Sequence, residues 1–455
     1  METLLLKSQN CSIHKTCPDS SSRKGAYRFL SNPKVKESNL IEGLEEQCSR
    51  NVEDKDIIAF CDTSSFNFTS HKGRLTDFTG LGSIGSVHGT HPLGFLMHPI
   101  LIHERTSGTP LGVSAVHLWA RPEQTKREES ERYDAKGTFI EDKESYKWIE
   151  PCLFCKDGSL AKAKNITFVM DREGDIMEVF DRLTDNRTNV IVRVMHNRSI
   201  ETQENEKEKL YDYVSKQPII STKYIKLKGN KRKKRTAEVE IKMAHCKLQW
   251  PTGQKVSYKN NSDGIWVTII EVKEKKHKGY KNEPLLIWRL ITTKEIQTEE
   301  QAKEVIRIYE QRWRIEEFFK LLKSDGYNIE STELETGKSI RKLTLLLMKV
   351  SIKILRLKAA RDGTTDMEVT DEFNSNEIAC LEILNEELSG NTKKQMNPYN
   401  PKNLAWATWV IARLGGWKEF YNATRPPGNK TLIWGMDKFE GIMIGYNILK
   451  KKDVY

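Results

Sequence analysis

The chain has 455 residues, enough at roughly 150 residues per domain for about three domains or one large core with insertions. Lys and Arg number 74 against 63 Asp and Glu, a net charge of +11, and hydrophobic residues make up 37%. That composition excludes a disordered polyelectrolyte and points to an anionic partner, nucleic acid first. No stretch approaches the ~18 uninterrupted apolar residues of a membrane span. The best candidate, Leu343 to Leu355, is interrupted by Lys349 and Lys353, and the run Leu4-Leu5-Leu6 is too short for a signal peptide. Eight scattered cysteines are no disulfide framework, so the expectation is a soluble protein of a reducing compartment.

Residues 1–50 are polar, with helices predicted around Gly25 to Leu30 and Ser38 to Cys48. Asp56 to Cys61 reads as a short buried strand ending at Asp62, and Pro99 to His103 and Leu111 to Trp119 read as two more. Helix signals return at Lys143 to Trp148. Asn165 to Met170 is another apolar strand, ending at Asp171 and followed by a helical Gly174 to Leu183 and the strand Asn189 to Val194. Between Pro218 and Lys259 stand ten Lys and two Arg against Glu238 and Glu240, so this segment holds +10 of the chain's +11. Its centre is Lys231, Arg232, Lys233, Lys234 and Arg235. Alternation at Tyr224, Ile225, Leu227 and at Ala237, Val239, Ile241 predicts a basic β-hairpin or small sheet, with a solvated loop or targeting run as the alternative. Long helices are predicted over Thr298 to Lys323 and Gly337 to Arg361. An acidic linker and exposed helix over Asp362 to Leu388 follow, then helices at Asn403 to Leu414 and Thr431 to Leu449.

Two strands ending in aspartate, within a βββ–α–β–α–β order, carry chemical weight. A carboxylate at a strand's end is held rigidly while its head group emerges from the sheet edge, which suits a metal ligand. Two on neighbouring strands with a third acid from a packed helix can hold paired Mg²⁺ ions for phosphoryl transfer. Asp62 and Asp171 are also ordinary turn formers at such positions. The third acid is sought on the long helix. At about 100° per residue, Tyr309, Arg312, Glu316, Lys320 and Lys323 share one arc, and Ile308, Ile315, Phe318, Phe319 and Leu322 form the adjacent core stripe. Cations around one carboxylate make sense if phosphates also sit there. An amphipathic helix with an i,i+4 pair such as Glu316 to Lys320 explains the same pattern without a site.

The spacing Tyr309-x₂-Arg312-x₃-Glu316-x₆-Lys323 resembles the YREK signature of a group of bacterial insertion-sequence DDE transposases. Asp62-Thr-Ser64 is similar to the segment carrying that family's first aspartate, and Asp171-Arg-Glu-Gly-Asp-Ile176 to the one carrying its second. Glu144 to Trp148, Gly25 to Pro33 and Arg312 to Phe318 also resemble family blocks, in the right order from about residue 12 to the C-terminus.

The resemblance implies an α/β fold: a ribonuclease H-like mixed-sheet catalytic core, a β-rich insertion, a short helical N-terminal segment and a helical C-terminal domain. The expected boundaries are 1–50 for a short end-recognition segment, 51–200 and 291–330 for the core, 201–290 for the basic insertion and 331–455 for a dimerisation region. It implies an enzyme that cleaves DNA at transposon ends and joins 3′ hydroxyls to target DNA with two Mg²⁺ (or Mn²⁺) ions. Asp62, Asp171 and Glu316 would be catalytic metal ligands. Tyr309, Arg312 and Lys323 would hold phosphate, with Lys320 of the same helix face as a further DNA contact, Arg193 would contact DNA, and Trp288 would stack near an extruded base, although Leu285 to Leu290 reads equally as a core strand. Implied partners are double-stranded DNA and a second copy of the chain in a synaptic dimer, in a bacterial cytoplasm and nucleoid-associated when on DNA. Family members carry more helical sequence before the Gly25 block, so the alternative is an inactive or N-terminally truncated DNA-binding remnant that inhibits transposition. Gly80-Leu-Gly82-Ser-Ile-Gly85 spells G-x-G-x-x-G without the strand and helix a dinucleotide site needs, and Cys152-x-x-Cys155 lacks a second pair at zinc spacing.

Overall fold

The computed structural model describes the chain except residues 7–10, 18, 86–89, 123–136, 228–233, 276–283, 419–425 and 453–455. Its strands are β1 (Asp56–Cys61), β2 (Ser64–Asn67), β3 (Gly82–Ser83), β4 (Leu93–Glu104), β5 (Pro110–Trp119), β6 (Asn165–Met170), β7 (Thr188–Arg193), β8 (Ser199–Glu201), β9 (Lys207–Lys209), β10 (Ile219–Leu227), β11 (Arg235–Leu248), β12 (Ile265–Glu274) and β13 (Ile287–Thr292). All belong to one 13-stranded sheet, ordered β2-β4-β1-β6-β7-β13-β12-β11-β8-β9, with β5 and β3 on β4 and β10 on β11. The run β5-β4-β1-β6-β7 is antiparallel as far as β1 and parallel from β1 to β7. That is consistent with a ribonuclease H-like core.

The central strands are apolar throughout because both faces of the sheet are covered. Ile58 and Phe60 of β1 enter one core, and Ile57, Ala59 and Cys61 enter the other. The same alternation separates Val169 from Ile166, Phe168 and Met170 on β6, and Ile191 from Val190 and Val192 on β7. The first face is covered by the helices Glu299–Glu310, Trp313–Leu322 and Gly337–Ala360, and the second by Glu150–Asp157 and Met177–Leu183.

One expectation about the elements is corrected. The helix expected over Thr298 to Lys323 is two helices with a turn at Gln311 and Arg312, where the amides of Gln311 and Arg312 bond to the carbonyls of Ile308 and Tyr309 at 3.1 and 3.0 Å. Those i→i−3 bonds tighten the backbone locally and end the regular 100° progression. Within the segment expected as the basic insertion, β10, β11 and β12 extend the core sheet through β13, which pairs with β7 (Leu290↔Arg193, Ile291↔Val192). In the N-terminal residues, Leu5, Leu6, Ile13, Ala26 and Leu30 are buried in the same core as the Gly337–Ala360 helix. Among the described residues no helix is long and apolar enough to cross a membrane.

Two glycines give opposite expectations. A Cβ at Gly94 would stand 1.8 Å from the carbonyl oxygen of Phe66, within the β2–β4 pairing. Gly25, inside the helix Ser20–Ser31, has nothing within 4 Å of such a Cβ. Urea denaturation should show Gly94→Ala losing about 1–3 kcal/mol through overpacking and Gly25→Ala gaining roughly 0.5–1 kcal/mol from helix propensity. Equal effects at the two positions would contradict this packing.

Candidate active site

β1 and β6 are adjacent and parallel in the register Phe60↔Val169, so the residues that follow them, Asp62 and Asp171, emerge from the same edge of the sheet. Alternation directs both toward the face of Phe60 and Val169, the face on which Trp313–Leu322 packs through Ile315, Phe318 and Phe319. The sheet therefore brings Asp62 and Asp171 together, and the helix brings Glu316 to the same edge.

Local bonds fix each acid. One Asp62 oxygen accepts from the Thr63 amide at 2.8 Å, and the Thr63 hydroxyl lies 2.9 Å from Nδ1 of His98, which is fully buried on β4. Burial, aided by the charge of Lys147, lowers the His98 pKa to about 3, so this imidazole is neutral. Asp171 caps the turn Arg172–Gly174 by accepting from the Glu173 amide at 2.9 Å. Asp175 accepts from the amides of Met195 and His196 at 2.7 and 3.0 Å and pairs with Arg198, tying the loop after β6 to the loop after β7. Neither His98 nor Asp175 has a signature in the sequence, because Thr63, Met195, His196 and Arg198 come from loops distant along the chain.

Arg312, at the helix break, is the centre of the cluster. Its Nη1 donates to Asp62 Oδ2 at 2.9 Å, and its Nη2 donates to Glu316 Oε1. One guanidinium thus bridges two of the three predicted acids. Tyr309 does not share the outward face with Arg312. It is 7% exposed, its ring meets Trp288 edge-on at 6.1 Å, and its hydroxyl bonds with Arg193. Burial pushes the Tyr309 phenol up, while Arg312 and Arg193 pull it down. Tyr309, Arg193 and Trp288 therefore form a half-covered wall beside the acids. Lys323 reaches back to the start of β2, donating to the Ser64 hydroxyl at 3.0 Å and to the Ser65 carbonyl, with Glu330 at 3.8 Å. Lys320 is exposed on the same helix.

The basic segment is less free than its composition suggests. Lys231, Arg232 and Lys233 lie outside the described residues, and Lys234 is exposed. Arg235 departs from the expected solvent-facing cation. On β11 it shares the inward parity of Ala237 and Val239, is buried, and pairs with Glu274 at 2.8 Å. Lys223 pairs with Glu310 at 2.8 Å, and Lys247 pairs with Asp263.

Burial raises the Asp62 carboxyl from 3.8 to about 6, opposed by Arg312 and reinforced by the like charges of Asp171 and Glu316. Burial also raises Asp171, against the bond from the Glu173 amide. Carboxylate oxygens crowded at one edge are the donor set of a hard divalent cation. Yet among the described residues no group of three or more His, Cys, Asp or Glu side chains stands close enough to hold an ion in this arrangement. Where three carboxylates would have to converge, Arg312 is bonded to two of them.

The raised Asp62 pKa has a consequence for stability. With a folded value of about 6 against an ordinary 3.8, the folded protein holds this proton more tightly than the unfolded chain. The charge costs nothing below pH 4 and its full amount above pH 6, on the order of 3 kcal/mol. Asp62→Asn should therefore stabilise the metal-free protein at pH 7.5 but not at pH 4, as read by urea denaturation at the two pH values. An Asn variant less stable than the parent at pH 7.5 would contradict this reading of the site.

Residues 155–351 match the family model of the transposase DDE domain. The match contains Asp171, Arg193, Trp288, Tyr309, Arg312, Glu316 and Lys323, and begins after Asp62. It supports reading the chain as a DDE transposase.

Proposed function

We propose that the protein cleaves DNA at the ends of a mobile element and joins the 3′ hydroxyls to target DNA, with Asp62, Asp171 and Glu316 as catalytic acids. The observation that carries this reading is the joint placement of Asp62 and Asp171 on adjacent parallel strand ends, with Glu316 linked to Asp62 through Arg312. Three acids with oxygen donors suit Mg²⁺ or Mn²⁺, two ions per site. Such ions, when bound, activate the attacking oxygen and stabilise the leaving one.

The chain's own residues do the positioning. Thr63 and His98 hold Asp62 in one rotamer, and Asp175 keeps the two loops at the strand ends in fixed relation. Arg312, Lys320 and Lys323 line the helix side, where a guanidinium and two ammonium groups can grip consecutive phosphates of one strand. Trp288, half-buried beside Tyr309, carries an indole whose face would suit stacking on a base displaced near the scissile bond. Exposed Lys226 and Lys234, on β10 and at the start of β11, extend the cationic surface away from the acids. The YREK grouping fits the spacing Tyr309, Arg312, Glu316, Lys323. A second copy of the chain, docked through the C-terminal helices, would hold the other DNA end.

The test is Mg²⁺-dependent cleavage of DNA carrying the sequences that flank the coding region. Asp62→Ala, Asp171→Ala and Glu316→Ala should each reduce cleavage by about 10³-fold or more while end binding persists, in keeping with the loss of a positioned electrostatic group. A parent protein that binds these ends tightly yet never cuts them would refute the catalytic assignment. Lys323→Ala should weaken binding about equally on all sequences and reduce the salt slope of the affinity by about 1. An unchanged slope would remove Lys323 from the phosphate contacts.

A further inference from the structure

Two of the acids are already occupied, by one side chain. The Arg312 guanidinium donates to Asp62 at 2.9 Å and to Glu316, is about 20% exposed, and is the cation nearest these charges. Its backbone stands at the break between Glu299–Glu310 and Trp313–Leu322. Short i→i−3 turns inside a helical run often mark a functional hinge. A guanidinium also matches phosphate as well as it matches carboxylate, with the same planar pair of N–H donors.

We propose that Arg312 is a latch: in the DNA-free protein it holds Asp62 and Glu316 in place of a divalent cation, and a phosphate of the DNA end draws it away, so that tight metal binding follows DNA binding. This rests on the reading of Asp62 and Glu316 as metal ligands and adds an order of events to it. A protein that carried loaded metal through the cell would be a nuclease at every encounter. A latch that only a correctly seated phosphate opens makes metal affinity conditional on the substrate. Because the coupling is a free energy shared by two ligands, it is reciprocal: the factor by which DNA raises metal affinity equals the factor by which metal raises DNA affinity.

The experiment measures Mn²⁺ binding to the full chain by the electron paramagnetic resonance signal of free Mn²⁺, with and without saturating end DNA, saturation being checked by fluorescence anisotropy. For the parent protein, DNA should raise Mn²⁺ affinity about tenfold or more, within the usual range of such couplings. Arg312→Gln should bind Mn²⁺ about tenfold tighter than the parent without DNA, and DNA should add little further. Arg312→Lys separates a latch from simple charge. A single ammonium keeps the charge but lacks the fork that joins two carboxylates, so it should also bind Mn²⁺ tighter than the parent.

Parent Mn²⁺ affinity that is indifferent to bound DNA overturns the proposal without reference to any variant. So does an Arg312→Gln protein that binds Mn²⁺ no tighter than the parent. An Arg312→Lys protein that behaves as the parent replaces the latch with net charge. Scoring cleavage in the same samples keeps the two readings apart. Cleavage without coupling refutes the latch alone, and coupling without cleavage refutes the transposition reading alone.

Discussion

Everything at the candidate site descends from the parallel pairing of β1 with β6. The register Phe60↔Val169 sets the two strand ends level, and the alternation of side chains then decides which face Asp62 and Asp171 address. A slip of one residue would send one of the acids into the opposite core, among Cys61, Met170 and Phe168. Register is enforced from both sides, because Ile58 and Phe60 fill one core while Ile57 and Ala59 fill the other. Parallel strands also need a crossover. Here it passes through β4, β5 and the helix Glu150–Asp157 on the second face, which leaves the first face for the helix that carries Glu316.

The same placement makes the site electrostatically uncomfortable. Asp62 is largely withdrawn from water beside two other carboxylates, and one guanidinium is the nearby compensation. Strain of this kind is found where charge is arranged for a ligand and not for folding. The break at Gln311 and Arg312 belongs to the same arrangement. An unbroken helix would place Tyr309 on the outward arc with Arg312. The tightened turn lets Tyr309 enter the core against Trp288 while Arg312 remains at the acids.

Much of this was legible in the chain. The strands at Asp56–Cys61, Asn165–Met170 and Thr188–Arg193 announce themselves as short apolar runs, and the aspartates that end two of them are visible as such. The core-facing stripe of Trp313–Leu322 follows from period alone. What was hidden depends on partners far away in sequence. Nothing in the string around Arg235 says that it faces Glu274, 39 positions later, and nothing around His98 points to Thr63, 35 positions earlier. The helix break was also invisible, since Gln311 and Arg312 are both good helix formers and the deviation is imposed by packing. Net charge misled in a similar way: a count of Lys and Arg cannot tell a solvated cation from one spent on Glu310 or Asp263.

The docking of the N-terminal helices on Gly337–Ala360 bears on how the protein is made. The Lys342 ammonium donates to the Leu30 carbonyl across 312 residues, and Leu5, Leu6 and Ala26 share that helix's core. On the ribosome Leu30 emerges 312 residues ahead of Lys342, so these apolar side chains wait for their partner helix. For most of synthesis Leu5, Leu6 and Leu30 have no native surface to cover them, so the final fold closes late and across a long loop of chain. The nascent protein therefore depends on whatever shields that N-terminal stripe until residue 360 has left the tunnel.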